Sequence, residues 1–170
     1  MKKFIPKGYK NSVFDIDYKR LKKKGIKCLL FDLDNTLLPA KSYDLDNSVI
    51  ALIKQLTVDF KIIIISNSTS RRLKKIKGLE VAFYSFSLKP LKRNFKKIIR
   101  DYKLTKEEMV IIGDQFLTDI LGGNRMGITT ILVNPLSGDL VCTKINRFLE
   151  EKIVNKLGKR NLFFKGKYYE

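Results

Sequence analysis

The chain contains no histidine, and only two of its 170 residues are cysteine. Histidine is the usual general base near neutral pH, so its absence excludes serine–histidine and cysteine–histidine catalysis. A zinc site would lack both histidine and clustered cysteine ligands. Any proton transfer must therefore use aspartate, glutamate, lysine or tyrosine side chains.

The two cysteines lie far apart, with Cys28 in an apolar run and Cys142 in a polar segment. Two such residues cannot form a disulfide framework, which favours a reducing cytoplasm. We expect Cys28 to be a core residue, because free cysteine is usually buried. The opening MKKFIPKGYK lacks the apolar region of a signal peptide, and no apolar run has membrane-spanning length. The expected location is the cytoplasm, with peripheral attachment to the inner face of the membrane as the alternative.

Acidic residues are also scarce, since 17 stand against 35 basic residues and the formal net charge is +18. This balance indicates an anionic partner: a phosphorylated substrate, an anionic membrane surface or, less favoured, a nucleic acid. Twenty-seven of the basic residues are lysine and eight are arginine. That ratio fits lysine-rich compositional drift equally well, so charge alone does not identify the partner.

Short apolar runs alternate with segments of helical periodicity along most of the chain. The predicted strands are 26–32, 61–66, 81–86, 109–114 and 128–134. The predicted helices are 46–60, 70–78, 91–103, 116–127, which glycines would end, and an amphipathic 142–157. The alternation predicts a doubly wound, Rossmann-like α/β fold, a parallel sheet with helices on both faces.

Length and an apolar fraction of 44% fit a single domain over residues 1–170. We divide it into a basic leader (1–25), a catalytic core (26–135) and a C-terminal helix with a basic and aromatic tail (136–170). The leader and the tail are each expected either to pack on the domain or to lie on an anionic surface.

Polar residues end several of the predicted strands, where ligands bind in sheets of this kind. Asp32 ends the first, Ser66 the second and Asp114 the fourth, while Lys89 follows the third. Asp32 and Asp34 form an acidic pair beside a hydrophobic strand, and such a pair needs a cation or a proton to offset repulsion. The pair therefore predicts a divalent metal.

Phosphoryl transfer is the chemistry that suits these acids. Asp32 can attack phosphorus and form an aspartyl phosphate, and Asp34 can act as general acid and base. Mg²⁺ with oxygen ligands would neutralise the charge, and Asp114 and Asp119 supply further carboxylates for it. The sequence thus predicts a magnesium-dependent reaction that runs on carboxylates.

Donors for a phosphoryl group follow the second and third strands. Ser66 and Asn67 lie where a strand leads into a helix, so their hydroxyl and backbone groups can bind phosphoryl oxygens. Lys89 adds a compact positive charge, and Pro90 is expected to open the next helix. These residues predict a phosphate-binding site.

Four ordered motifs make the sequence resemble the haloacid dehalogenase (HAD) superfamily of phosphatases. DLDNT matches the D-x-D-x-T motif, ISNS the Ser/Thr motif, LKP the lysine motif and GDQFLTD the acidic motif. GIKCLLFDLDNTLLP, LKPLKRNF and GDQFLTDILGGNRMGITTILVNPL are similar to its YqeG-type subfamily, within subfamily IIIA. That subfamily is related to mitochondrial and plastid phosphatidylglycerophosphate phosphatases.

The resemblance implies Mg²⁺ and a set of residue roles. The implied catalytic residues are Asp32 as nucleophile, Asp34 as acid and base, and Ser66 and Lys89 as phosphate-stabilising groups. The implied metal ligands are Asp32, Asp34 through its backbone carbonyl, Asp114 and Asp119. The residues predicted to contact substrate are Thr36, Asn67, Arg71 and Arg72. For the two arginines, at the start of the basic stretch 71–77, a second substrate phosphate is one hypothesis and a solvated helix face the other.

The spacing of the motifs leaves no room for a cap domain. About ten residues separate Thr36 from the next predicted helix, and about twenty separate Ser66 from Lys89. An open site suits a large substrate, and phosphatidylglycerophosphate is our first candidate. The alternatives are a phosphatase of nucleic-acid ends and a basic RNA- or ribosome-associated binding protein on the same scaffold.

Overall fold

The computed structural model describes the chain outside residues 41, 75, 77, 138–140 and 170, and for 141–147 it describes the backbone alone. Six strands within this part of the chain are β1 (Gly8–Lys10), β2 (Cys28–Phe31), β3 (Lys61–Ile65), β4 (Ala82–Tyr84), β5 (Met109–Gly113) and β6 (Thr129–Val133). They form one sheet in the order β1-β6-β5-β2-β3-β4, with parallel pairing between neighbours. The predicted parallel sheet is confirmed.

Helices connect most of the strands. They are α1 (Tyr18–Lys23), α2 (Asn47–Leu56), α3 (Ser70–Leu73), α4 (Arg93–Asp101), α5 (Leu121–Met126) and α6 (Val141–Gly158). A π-helical turn, Phe116–Ile120, leads into α5. Across the described residues, none of these helices has both the length and the hydropathy needed to cross a membrane.

The central strands send alternate side chains to opposite faces of the sheet. Leu29 and Phe31 of β2 pack on one face with residues of α1 and α2. Cys28 and Leu30 pack on the other face with α4. A strand covered on both faces has no reason to alternate polar residues, which explains the continuous apolar run. Cys28 is a core residue, as predicted, and burial raises the pKa of its thiol to about 12.

Strand β1 was not predicted, because the three residues of GYK carry no apolar run. It pairs with β6, and the backbone N–H of Tyr9 also donates to Tyr169 O at 2.7 Å while that of Tyr169 donates back at 2.9 Å. Tyr9 also packs with Phe163 and Leu157 in a third buried cluster. The leader and the tail therefore contact each other and the sheet.

The C-terminal helix is present as α6, with differences from its predicted face. Leu157 is buried as expected, but Phe148 and Leu149 are exposed. The pattern placed them on the apolar stripe, yet among the described side chains of α6 the buried cluster takes Ile153, Val154 and Leu157 of its last turns. The side chains of Val141 and Ile145 lie outside the described residues.

Two local predictions about helix ends were wrong. The helix predicted over 70–78 ends at Leu73, while Lys75 and Lys77 of that stretch lie outside the described residues. Pro90 does not open α4, which begins at Arg93.

Gly122 and Gly123 lie inside α5 and do not end it. Gly123 is needed there for close packing, because a side chain at this position would collide with Ile111 and Thr130. A glycine ends the helix, as predicted: Gly127 has a φ of 77°, in the left-handed region that glycine tolerates.

Candidate active site

Three strand ends meet beside the point where strand order reverses, between β2 and β5. Asp32 follows β2 and its backbone N–H donates to Ile112 O at 2.9 Å, which extends the pairing with β5. Asp114 follows β5, and Ser66 follows β3 with its N–H bonded to Tyr84 O. Parallel strands bring their carboxyl ends to one edge, so the structure brings these three residues together as the sequence predicted.

Carboxylates from two strand ends and the π-helical turn form one cluster. Oxygens of Asp32, Asp114 and Asp119 lie within 4.8 Å of one another, and all three residues are buried. Hard oxygen donors at this separation fit Mg²⁺, and a cation would offset the repulsion among them. These residues are therefore the ones that could hold the ion.

Neighbouring residues fix the orientation of two of these acids. The backbone N–H of Gln115 donates to Asp119 Oδ2 at 3.2 Å. Gly113 leaves the space for Asp119, because a Cβ at that position would collide with its carboxyl group. The Thr36 hydroxyl donates to Asp114 Oδ1 at 3.4 Å. Thr36 is buried, so the structure places it behind a carboxylate and not on the open side of the site.

Lys89 lies inside the acidic cluster. Its Nζ is 2.5 Å from Asp32 Oδ1 and 2.6 Å from Asp119 Oδ1, and its side chain is 1% exposed. Burial by itself lowers the pKa of Lys89, but Asp119 and Asp32 together raise it above its ordinary value. Desolvation raises the pKa of Asp32, against the opposing effect of the Lys89 ammonium. Lys89 therefore stays charged in the deepest part of the site.

Asn67 fastens the segment that carries Lys89. Its Oδ1 accepts from Lys89 N at 2.8 Å and from the Ser87 hydroxyl at 2.7 Å, and its Nδ2 donates to Lys89 O at 3.3 Å. Ser66 is buried as well, and its Oγ accepts from Ser68 N at 3.0 Å. The amide group of Asn67 thus holds the protein backbone, where the sequence predicted a contact with substrate.

Asp34 occupies the outer part of the site. Arg72 Nη2 lies 2.5 Å from Asp34 Oδ1, and the Ser68 hydroxyl donates to Asp34 Oδ2 at 2.6 Å. Arg72 also lies over the ring of Tyr43, with its Cζ 5.0 Å from the centroid. Arg71, which was predicted to act with it, is exposed at the preceding position of α3. The structure brings Arg72, but not Arg71, to an acidic residue of the first motif.

Comparison with known proteins identifies the family. Residues 88–138 match a family model described as HAD-hydrolase-like. The chain is 37% identical over 163 residues to the probable phosphatase YqeG of Bacillus subtilis, a match that covers 92% of this chain and 93% of that protein. The chain belongs to the HAD hydrolases. Among them it is a YqeG-type phosphatase.

Other HAD relatives match less of their own length or share only the fold. A phosphatidylglycerophosphate phosphatase 1 of Arabidopsis thaliana is 32% identical over 136 residues, 72% of this chain and 38% of that protein. A HAD family enzyme of Bacteroides thetaiotaomicron, solved with magnesium and inorganic phosphate, superposes with a TM-score of 0.55 at 14% identity, over 69% of this chain and 97% of that one. A HAD-like hydrolase of Porphyromonas gingivalis gives 0.54 at 14% identity, over 74% and 98%. These solved structures show the HAD fold.

The sequence did not predict the contacts that two further residues make near the first HAD motif. Ser68 contacts Asp34 across a separation of 34 residues, and Tyr43 contacts Arg72 across 29. Ser68 is the last residue of ISNS, two positions after Ser66, and its place in this motif was a signal for a role in the site. Tyr43 offered no signal, because an aromatic residue in a polar linker has many ordinary explanations.

Proposed function

We propose that this HAD phosphatase is a Mg²⁺-dependent phosphomonoesterase that forms an aspartyl phosphate at Asp32. The supporting observation is the convergence of Asp32, Asp114 and Asp119 within 4.8 Å, with the Lys89 ammonium among them. Such a site places a nucleophile beside an ammonium group and beside carboxylates that can bind a metal ion. Phosphoryl transfer chiefly requires this stabilisation of negative charge.

The same three carboxylates, with the backbone carbonyl of Asp34, are the proposed metal ligands. When bound, Mg²⁺ would neutralise the negative charge of the phosphoryl group and its attacking carboxylate. The magnesium and phosphate in the Bacteroides HAD structure support this choice of ion. Asp114 keeps its orientation through Thr36, which makes Thr36 a positioning residue in this scheme.

In the first step, an Asp32 carboxylate oxygen attacks phosphorus and the bond from phosphorus to the ester oxygen breaks. Asp34 donates its proton to the departing oxygen, so that an alcohol leaves and Asp32 carries the phosphoryl group. Ser68 and Arg72 hold the Asp34 carboxyl group by direct contacts at 2.6 and 2.5 Å.

In the second step, a water molecule attacks phosphorus and gives its proton to Asp34. The bond from phosphorus to the Asp32 oxygen breaks, which releases inorganic phosphate and restores the Asp32 carboxylate and the protonated Asp34. Lys89 stabilises the phosphoryl oxygens in both steps, with Ser66 as a second donor, while Asn67 keeps Lys89 in position.

A phosphorylated lipid head group is the proposed substrate class, with phosphatidylglycerophosphate as the first candidate. Two relatives carry that enzyme's name, and the second, from Chlamydomonas reinhardtii, is 28% identical over 149 residues, 80% of this chain and 55% of that protein. We also propose that residues 1–170 act as one domain in the cytoplasm, at the inner face of the membrane. The net charge of +18 supports attraction to that anionic surface.

The test is release of phosphate from phosphatidylglycerophosphate in mixed micelles, with Mg²⁺ and with a chelator. Asp32→Asn should abolish release, because it keeps the shape of the side chain and removes the nucleophile. Asp59→Asn, at an exposed position before β3 and away from the strand ends of the site, is the matched control and should retain the activity. Release by Asp32→Asn at the wild-type rate would contradict the mechanism. Hydrolysis of a generic phosphomonoester but not of the lipid would move nucleic-acid ends to first place.

A further inference from the structure

The loop between β4 and α4 (residues 85–92, the β4–α4 loop) has an inverted distribution of polar and apolar side chains. Ser87 and Lys89 point inward, and as whole residues they are 1% and 5% exposed. Phe86, Leu88 and Leu91 point outward and are 54%, 55% and 51% exposed. The backbone that delivers Lys89 to the acidic cluster therefore displays three large apolar side chains at the mouth of the same site.

Backbone conformation maintains this outward display. Phe86 and Leu88 have φ values of 45° and 49°, in the left-handed region that bulky side chains rarely occupy. Hydrogen bonds from Phe86 N to Ser68 O and from Ser87 N to Ser66 O, both 3.0 Å, hold the loop against the neighbouring strand end. Such strained conformations persist only where the surrounding structure holds them, and they concentrate at functional sites.

Positive charge surrounds the loop. Residues 61–100 contain twelve basic residues and one acidic residue, Glu80. Among the described residues, the exposed basic residues of α3, α4 and their ends are Arg71, Lys74, Lys92, Arg93, Lys96, Lys97 and Arg100. An apolar tip within a basic surface is complementary to a bilayer that carries anionic head groups.

We propose that the β4–α4 loop inserts Phe86, Leu88 and Leu91 into the surface of an anionic lipid bilayer, with the surrounding lysines and arginines on the head groups. The inference deepens the proposed function and rests on it, because insertion here would set the open site against lipid-borne phosphate esters. A membrane fits the tip better than RNA does, since two of the three apolar residues are leucines, which offer no aromatic face for stacking on bases.

Tryptophan reporters test insertion directly, because the chain has no tryptophan of its own. Phe86→Trp should show a blue-shifted emission, and quenching by brominated acyl chains, on vesicles of phosphatidylcholine with phosphatidylglycerol. Val58→Trp is the matched control, since Val58 is 82% exposed but precedes β3, at the amino ends of the parallel strands, whereas the loop follows the carboxyl end of β4. Quenching at neither position, or equally at both, would overturn the proposal.

The companion variant carries Phe86→Asn and Leu88→Asn, because asparagine tolerates the left-handed region and removes the apolar surface. Its partition onto the anionic vesicles should fall by about tenfold or more, while hydrolysis of soluble p-nitrophenyl phosphate stays at the wild-type rate. Unchanged partition would contradict the inference. So would binding of single-stranded RNA by wild-type protein that ignores the vesicles.

The two proposals fail separately. Vesicle insertion by a wild-type protein that hydrolyses no phosphomonoester would leave the surface assignment standing and remove the proposed function. Hydrolysis of p-nitrophenyl phosphate together with an unquenched tryptophan at position 86 would do the reverse.

Discussion

The inner and outer parts of the site hold two aspartates that are two residues apart in sequence. Asp32, in the inner part, contacts Lys89 at 2.5 Å, with side-chain exposures of 11% and 1%. Asp34, in the outer part, contacts Arg72 at the same distance, with exposures of 25% and 15%. The two ion pairs have equal lengths and different surroundings.

The difference suits the two chemical roles that we propose for this short motif. Charge in the inner part is desolvated, so that removing one partner leaves the other without compensation. Charge in the outer part is partly exposed to solvent, so that Asp34 can change partners at a lower cost. Because the two carboxylates differ in burial and in their partners, one can act as the proposed nucleophile and the other as the proposed acid and base.

Loss of Lys89 should have the largest effect. Lys89→Met leaves Asp32 and Asp119 buried without their ammonium, and the free energy of unfolding should fall by about 3 kcal/mol. Phosphate release should fall by about 10³-fold, because a fixed charge at the phosphoryl group is lost. Urea unfolding and initial rates measure the two effects.

A second substitution checks the origin of that loss. Lys89→Met combined with Asp119→Asn should recover part of the lost stability, since one uncompensated carboxylate is removed. Losses that simply add in the double variant would contradict a direct interaction between these side chains.

Asp34→Asn should affect activity and leave stability nearly unchanged. The rate should fall by at least about 10²-fold, because general acid and base catalysis is lost. The free energy of unfolding should change by less than about 1 kcal/mol, since the pair with Arg72 is partly exposed. Destabilisation as large as that of Lys89→Met would remove the proposed contrast between inner and outer parts.

Magnesium should stabilise the protein through the inner part. At a Mg²⁺ concentration one hundred times the dissociation constant, the gain should be about 2.7 kcal/mol, measured as a rise in Tm. Asp114→Asn should abolish the gain. Asp34→Asn should retain most of it, since Asp34 is proposed to contribute only its backbone carbonyl; equal loss in both variants would contradict the ligand assignment.

Arg72→Gln should have the smallest effect. Stability should change by about 1 kcal/mol or less, as for other partly exposed pairs. The rate should change by severalfold, with a weaker dependence on salt than in wild-type protein, because the outer cation is gone. Steady-state rates at several salt concentrations measure this, and a loss as large as that of Asp34→Asn would make Arg72 part of the catalytic machinery.

Much of the fold was predictable because its signals are local. The apolar runs that became β2, β3 and β5 are continuous, and each ends at a polar residue of the site. Strand β1 was missed for the opposite reason. Gly8 to Lys10 pair with β6, and Tyr9 also bonds to Tyr169, and these partners lie far outside any local window.

Sequence alone determined the parallel α/β order, the four motifs and the reliance on carboxylates in a chain without histidine, because each follows from local periodicity or composition. Tertiary structure decided which cation joins which acid: Lys89 meets Asp32 across 57 residues, and Arg72 meets Asp34 across 38. It also decided that Leu88 faces outward beside the buried Lys89. Such pairings depend on the distances and the burial that packing creates, and neither quantity can be read from the sequence alone.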